Sequence, residues 1–224
     1  MPVISFATSK GGAGKTTSCI ILGTELAEGA SVTIVDADPA QRLTKWASLA
    51  SLPLGLDVVS SRGERAILGE IEEAATRSAF VLVDLEGTAS RLTSFAMSAS
   101  DLVIIPTGEE QQDADAAVET MAEVAMEARA RRRSIAAVIL LTRTAASVKS
   151  RLERHIGSEL RSAGRVLHTE LHRRTAYSSL HNAGGGLRSL DRSDVNGVDK
   201  AIDNASRFAD EVITILEETH ATSA

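Results

Sequence analysis

The sequence predicts a doubly wound α/β fold, a predominantly parallel twisted sheet with helices on both faces. Three observations carry that prediction. Short β-branched and aliphatic runs recur from one end of the chain to the other. Most are continuously apolar, as in parallel strands covered on both faces, rather than alternating. Stretches with 3.6-residue periodicity separate them, and such alternation builds a sheet through crossover helices.

The first strand candidate is Val3–Ala7, and Val32–Val35, Leu56–Val59, Phe80–Val83 and Leu102–Ile105 follow it. Asp113–Arg131 then reads as a helix, because Ala114, Ala117, Val118, Met121, Ala125 and Ala128 share a face. Ile135–Leu141 is the sixth strand. In the next helix, Ser147–Ala163, the apolar face is Val148, Leu152, Ile156 and Leu160, and Gly164 suits a C-terminal cap. Val166–Leu171 is the last strand. The final helical pattern runs through Val198, Ile202, Ala205, Phe208, Ala209, Val212 and Leu216. Gly184–Gly186 and the polar stretch to Gly197 read as a loop within one domain.

A single domain, 1–224, is therefore expected, with no N-terminal helix-turn-helix extension ahead of the strand that begins at residue 3. A chain of this size buries roughly 70–75% of its extended surface and needs no disulfide or structural metal. Its one cysteine, Cys19, excludes an internal disulfide and a Cys-ligated cluster. No apolar run approaches the ~18 residues of a membrane span, and no secretory pattern opens the chain, so a cytoplasmic protein is expected.

The net charge of −6 argues against nucleic acid only until it is divided. Residues 1–128 hold 8 basic and 19 acidic side chains, 129–192 hold 14 and 4, and 193–224 hold 2 and 7. The middle block is strongly basic between two acidic ones.

Directly after the first strand comes K-G-G-A-G-K-T-T, Lys10 to Thr17, leading into an apolar helix. Gly11, Gly12 and Gly14, with Ala13 between them, let the backbone turn tightly and aim N–H groups at phosphate oxygens. The helix N-terminus adds positive charge. Lys15 is placed to reach the β- and γ-phosphates, and the Thr16 hydroxyl to ligate Mg2+, with Thr17 beside it. The usual pattern wants glycine where this chain has Ser9, and it carries Lys10 in addition. The second strand ends in V-D-A-D-P. Asp36 and Asp38 are expected on one side, at the C-terminal end of a strand beside the first one. One would support hydrated Mg2+ and the other would orient an attacking water. The fourth strand ends in Asp84, a further Mg2+ candidate, and D-x-x-G spacing places Gly87 as a γ-phosphate switch.

Lys10 within K-G-G-x-G-K-T-T, then D-x-D-P, then an apolar run ending in aspartate, resembles the ParA/MinD family of deviant-Walker ATPases. Small ParA-type members, including VirC-like ones, look most similar. The likeness spans essentially the whole chain, including Leu-His-Arg-Arg-x-Ala at Leu171–Ala176. It implies a P-loop fold, ATP and Mg2+ as cofactors, and an ATP-sandwich homodimer in which Lys10 reaches the partner subunit's nucleotide and Gly12 lies at the interface. It implies catalytic roles for Lys10, Lys15 and Asp38, and adenine contacts near Arg143. It further implies DNA binding without sequence preference, and a ParB-like or cargo-adaptor protein that stimulates hydrolysis. Such a protein would be nucleoid-associated and would partition or position DNA or protein cargo. The chain departs from the family at Leu85-Glu86-Gly87-Thr88, where many members read D-x-P-P, and Ala40 displaces Gln41.

Within the basic block, Arg154 and Arg161 fall opposite the apolar helix face, two turns or roughly 10 Å apart. They are candidates for duplex phosphates, with Lys149, Arg151, Arg173 and Arg174 as neighbours. Arg129, Arg131, Arg132 and Arg133 complement a helix C-terminus. Low aromatic content argues against a base-stacking platform. The alternative reading is a metabolic P-loop enzyme acting on a small carboxylate or amine, similar to dethiobiotin synthetase. A membrane-targeting tail is not expected, because Leu216–His220 is acidic where a basic amphipathic helix would be needed.

Overall fold

The structure, a computed structural model, describes residues 1–146 and 149–223. β1 (Val3–Phe6) leads into α1 (Lys15–Leu26), and β2 (Val32–Ala37), α2 (Arg42–Ala47), β3 (Leu56–Ser60) and α3 (Ile67–Arg77) follow. The chain continues through β4 (Phe80–Leu85), α4 (Arg91–Ala99), β5 (Leu102–Thr107), α5 (Gln111–Arg131) and β6 (Ala136–Thr144). It closes with α6 (Arg151–Ala163), β7 (Leu171–His172), α7 (Thr175–Ala183) and α8 (Val198–Ser223).

The strands form one sheet in the order β3-β2-β4-β1-β5-β6-β7, and every pairing is parallel. Alternate residues of each strand feed opposite faces. Ile4, Phe6 and Leu82 join a core with Ile20, Ile21 and Leu22 of α1 and Phe208 of α8. Val3, Val81 and Val83 join the other, with Ile67 and Ile71 of α3 and Ala114 and Ala117 of α5. Two buried faces explain the continuous apolar runs. Trp46 and Tyr177 are buried in the first core, so neither ring is offered to a base.

β2 is not beside β1, as the sequence reading had it. β4 lies between them, pairing Asp84 with Phe6 on one side and with Asp36 on the other. β7 is also shorter than Val166–Leu171, with Val166 reduced to an isolated bridge to Ile139. The reason is a competing acceptor. Glu211 of α8 takes the backbone N–H groups of His168 and Thr169 at 2.7 and 2.8 Å, so these do not join a strand ladder.

α6 starts at Arg151 rather than Ser147, and Ser147 and Val148 lie outside the described residues. A capping box sets the start: Ser150 Oγ accepts from Glu153 N, and Glu153 accepts from Ser150 N. Ile156 and Leu160 are buried under it, but Leu152 is 62% exposed. The first turn of α6 overhangs the packed core. Val118 of α5 also faces outward.

Candidate functional site

The loop between β1 and α1 sits at the C-terminal edge of the sheet, where open α/β sheets bind ligands. Gly12 and Gly14 have left-handed φ values of 79° and 96°, and Gly14 caps α1. A side chain at Gly14 would also press on Thr142 Oγ1, 3.4 Å away. Thr142 Oγ1 instead donates to Ala13 O at 2.8 Å, pinning the loop to β6. Gly11 is exposed, with nothing within 4 Å of a built Cβ. The first turn of α1 carries no acidic residue to occupy its N–H groups.

Lys15 is buried, with its ammonium 3.5 Å from Thr8 O. Burial lowers its pKa, and the Asp84 and Asp38 carboxylates partly oppose that. Gly87 packs on this lysine. A Cβ there would stand 3.2 Å from Lys15 Nζ and 3.4 Å from Gly11 N, so the D-x-x-G glycine lies against the phosphate loop.

Thr16 Oγ1 donates to Asp84 Oδ2 at 2.7 Å. Asp84 is fully buried, and its other oxygen has no partner. Burial raises its pKa to about 7, with the nearby Asp36 adding to the shift and Thr16 and Lys15 opposing it. An open, buried carboxylate oxygen beside a threonine hydroxyl is suited to a cation or an ordered water.

The two aspartates of V-D-A-D-P part company. Asp36 turns into α2, accepting from Thr44 N and Thr44 Oγ1 at 2.7 and 2.8 Å and from Asp38 N at 3.3 Å. Among the three metal candidates, Thr16 and Asp84 are in contact, whereas Asp36 is committed mainly to shaping its own loop. Asp38 is held toward the site by Ala40 N at 2.8 Å and by Arg42 at 3.0 Å.

Beside the loop, a cleft of about 350 Å3 opens between α1, the end of β6 and α7. Gly12, Gly14, Thr17, Ser18, Arg143, Arg173 and Arg174 are among its lining residues. Ser18 Oγ and Arg174 Nε are buried there without a partner. Thr17 Oγ1 is 2.7 Å from His181 Nε2, and burial, with Arg42 nearby, lowers the His181 pKa. Arg173 and Arg174 therefore belong to this cleft and not to the outer face of α6, because the short β7 turns the chain back toward α1.

Lys10 and Arg143 both end on Asp113, in the first turn of α5. Lys10 Nζ pairs with Oδ1, and Arg143 Nη2 lies 3.3 Å from Oδ2. The sequence reading took Asp113 only as a helix start. The one signal for it was an acidic residue at a helix N-terminus at the sheet's C-terminal edge.

Arg151, Arg154 and Arg161 are exposed on α6. Lys149 is different. Its ammonium lies 2.6 Å from Glu109 and 2.5 Å from Glu170, and these bonds raise its pKa against the effect of burial. It is an internal counter-ion, so its place among free phosphate contacts is corrected. Among the described residues, no cluster of three or more His, Cys, Asp or Glu could hold a metal, and no helix is long and apolar enough to cross a membrane.

The VirC1 protein family profile matches residues 1–218. Protein ParA of Rhizobium radiobacter is 38% identical over 220 residues, spanning 97% of this chain and 99% of the relative. The ATP complex of a Cyanothece McdA variant aligns with a TM-score of 0.73 at 15% identity, over 92% of this chain and 96% of that one. The cell division ATPase MinD of Pyrococcus furiosus gives 0.72 at 16% identity, over 96% and 99%. These two structures bear on the fold, while the family rests on the profile and the ParA relative. With its Lys10-bearing phosphate loop, its Asp84 strand end and matches along nearly its whole length, this chain belongs to the VirC1 family of ParA/MinD-type partition ATPases.

Proposed function

We propose that this chain, as a single P-loop domain, is an ATP-driven switch that partitions or positions DNA or a protein cargo. The observation that carries the reading is Asp84 Oδ1, buried without a partner beside Thr16 at the mouth of the glycine loop. Mg2+ keeps several waters and takes one or two protein oxygens together with substrate phosphates, so Thr16 and Asp84 fit it. When bound, the ion would neutralise charge on the phosphates of ATP.

The chain's own residues divide the remaining work. Lys15, the loop N–H groups of 11–14 and the start of α1 bind the polyphosphate. A polyphosphate beside Lys15 favours the ammonium form that burial disfavours. Thr17, Ser18, Arg143, Arg173 and Arg174 line the space for the nucleoside. Asp38, oriented by Ala40 N and Arg42, accepts a hydrogen bond from the attacking water and so aims it. Gly87 against Lys15 couples the β4–α4 loop to the γ-phosphate position.

Two ATP-loaded copies pair, with Lys10 crossing to the partner's nucleotide and the open surface at Gly12 facing the interface. The paired form binds duplex DNA without sequence preference through Arg151, Arg154 and Arg161. A ParB-like or adaptor protein stimulates hydrolysis and release, so the protein is cytoplasmic and nucleoid-associated. The ParA relative and the McdA–ATP complex support this reading.

The test is sedimentation of the purified chain with Mg-ATP and with Mg-ADP. Dimer is expected with ATP alone, and Lys15→Ala is expected to stay monomeric in both. A monomer in both states, with turnover accelerated by small carboxylates, would favour the metabolic alternative and refute the switch.

A further inference from the structure

Asp113 is buried to 3% exposure, carries two cations, and has no role in the scheme above. Both cations are groups that scheme uses elsewhere, Lys10 for the partner's nucleotide and Arg143 for the nucleoside cleft. In the single chain, then, the lysine meant to cross between subunits is tied down within its own subunit.

We propose that Asp113 is a positioning residue that parks Lys10 in the monomer and sets how much ATP is needed to form the dimer. The inference rests on the ATP-sandwich reading. Three features make the contact a latch rather than a permanent pair. Lys10 is still 33% exposed, so the ammonium can leave into water without crossing packed protein. Asp113 lies in the first turn of α5, where free N–H groups favour a carboxylate. Arg143 stays beside the other oxygen, so departure of Lys10 does not strand a buried charge, the usual barrier to opening such a pair.

The site is also shaped for the carboxylate. A Cβ at residue 108 would collide with Asp113 Oδ2, so Gly108 is what lets the β5–α5 connection close over it. Asp113 thus links the phosphate loop, β6 and the β5–α5 turn in the nucleotide-free chain. Opening releases Lys10 from all three at once.

Each dimer opens two latches. If one hydrogen-bonded ion pair shifts the parked equilibrium by about tenfold, the dimer dissociation constant moves by about a hundredfold. The experiment compares wild type, Asp113→Asn and Asp113→Glu. The first measurement is acylation of Lys10 by an amine-reactive ester in nucleotide-free protein, mapped by mass spectrometry. The second is the Mg-ATP concentration that gives half dimer in sedimentation. Asp113→Asn is expected to react faster at Lys10 and to dimerise at lower ATP, and Asp113→Glu to restore both towards wild type. Unchanged Lys10 reactivity in a folded Asp113→Asn protein would overturn the latch. An unchanged or higher ATP requirement would overturn its control of dimerisation. Faster acylation in a protein that never dimerises would leave the parking intact and remove the ATP-sandwich reading instead.

Discussion

Replacing Asp84 by asparagine should make the nucleotide-free protein more stable and at the same time useless as a switch. Asp84 is fully buried, with one oxygen bonded to Thr16 and the other open. Its pKa rises from 3.8 to about 7, chiefly through burial. A carboxyl raised in this way holds its proton more tightly folded than unfolded. Its contribution is fully present below about pH 4 and is lost as pH rises through about 7. Three units at 1.36 kcal/mol each put the upper bound of the loss at about 4 kcal/mol. Relaxation and water entry reduce that, so a gain of about 1–4 kcal/mol is expected for Asp84→Asn at pH 8. The amide is isosteric, cannot ionise, and keeps an oxygen for Thr16. The assay is urea unfolding in chelator from pH 4.5 to 8, comparing the difference between the two proteins so that other titrating groups cancel. The difference should grow with pH and level off above 7. Parallel profiles, or a less stable variant at pH 8, would refute the reasoning. With Mg-ATP at a hundred times its dissociation constant, wild type should gain about 2.7 kcal/mol and Asp84→Asn almost nothing.

Lys149→Ala should leave Glu109 and Glu170 facing each other without their shared cation and lower stability by about 2–4 kcal/mol, read by urea unfolding. If stability held and only DNA binding fell, Lys149 would return to the phosphate contacts. Arg154→Ala with Arg161→Ala should keep the ATP dimer while reducing the slope of log affinity against log salt by about 0.9 per lost phosphate contact. An unchanged slope would take the outer face of α6 off the DNA. His172 and His181 both have pKa values lowered mainly by burial, so they subtract stability as pH falls below about 6.5. Substituting His181 by glutamine should flatten the acid side of the unfolding profile. A steeper profile would contradict that sign.

Which parts could be read from sequence follows from how local their physics is. Lys10 to Thr17 is one continuous loop whose glycines, lysine and hydroxyl serve a single ligand, so spacing alone describes it. Asp84 is legible because it ends an apolar run in a sheet that must expose its strand ends to the crevice. Strand order is not local. Nothing in V-D-A-D-P says that β4 will come between β2 and β1, nor that Thr44 will take up Asp36. The same holds for charge. A basic block marks where cations lie in the chain, but Lys149 is neutralised by carboxylates from two other loops. Arg173 and Arg174 are turned into a cleft by a strand only two residues long. Asp113 was hidden for that reason too, because its two partners come from loops distant in the chain and meet only across the sheet edge.

The central claim is a nucleotide-dependent switch on DNA, and titration of a random-sequence duplex across a series of salt concentrations tests it most directly. The Mg-ATP protein should bind with affinity that falls linearly on a log–log salt plot, and the Mg-ADP protein should not bind at the same concentrations. Equal binding in both nucleotide states, or no binding by the ATP form at the lowest salt, would contradict the account.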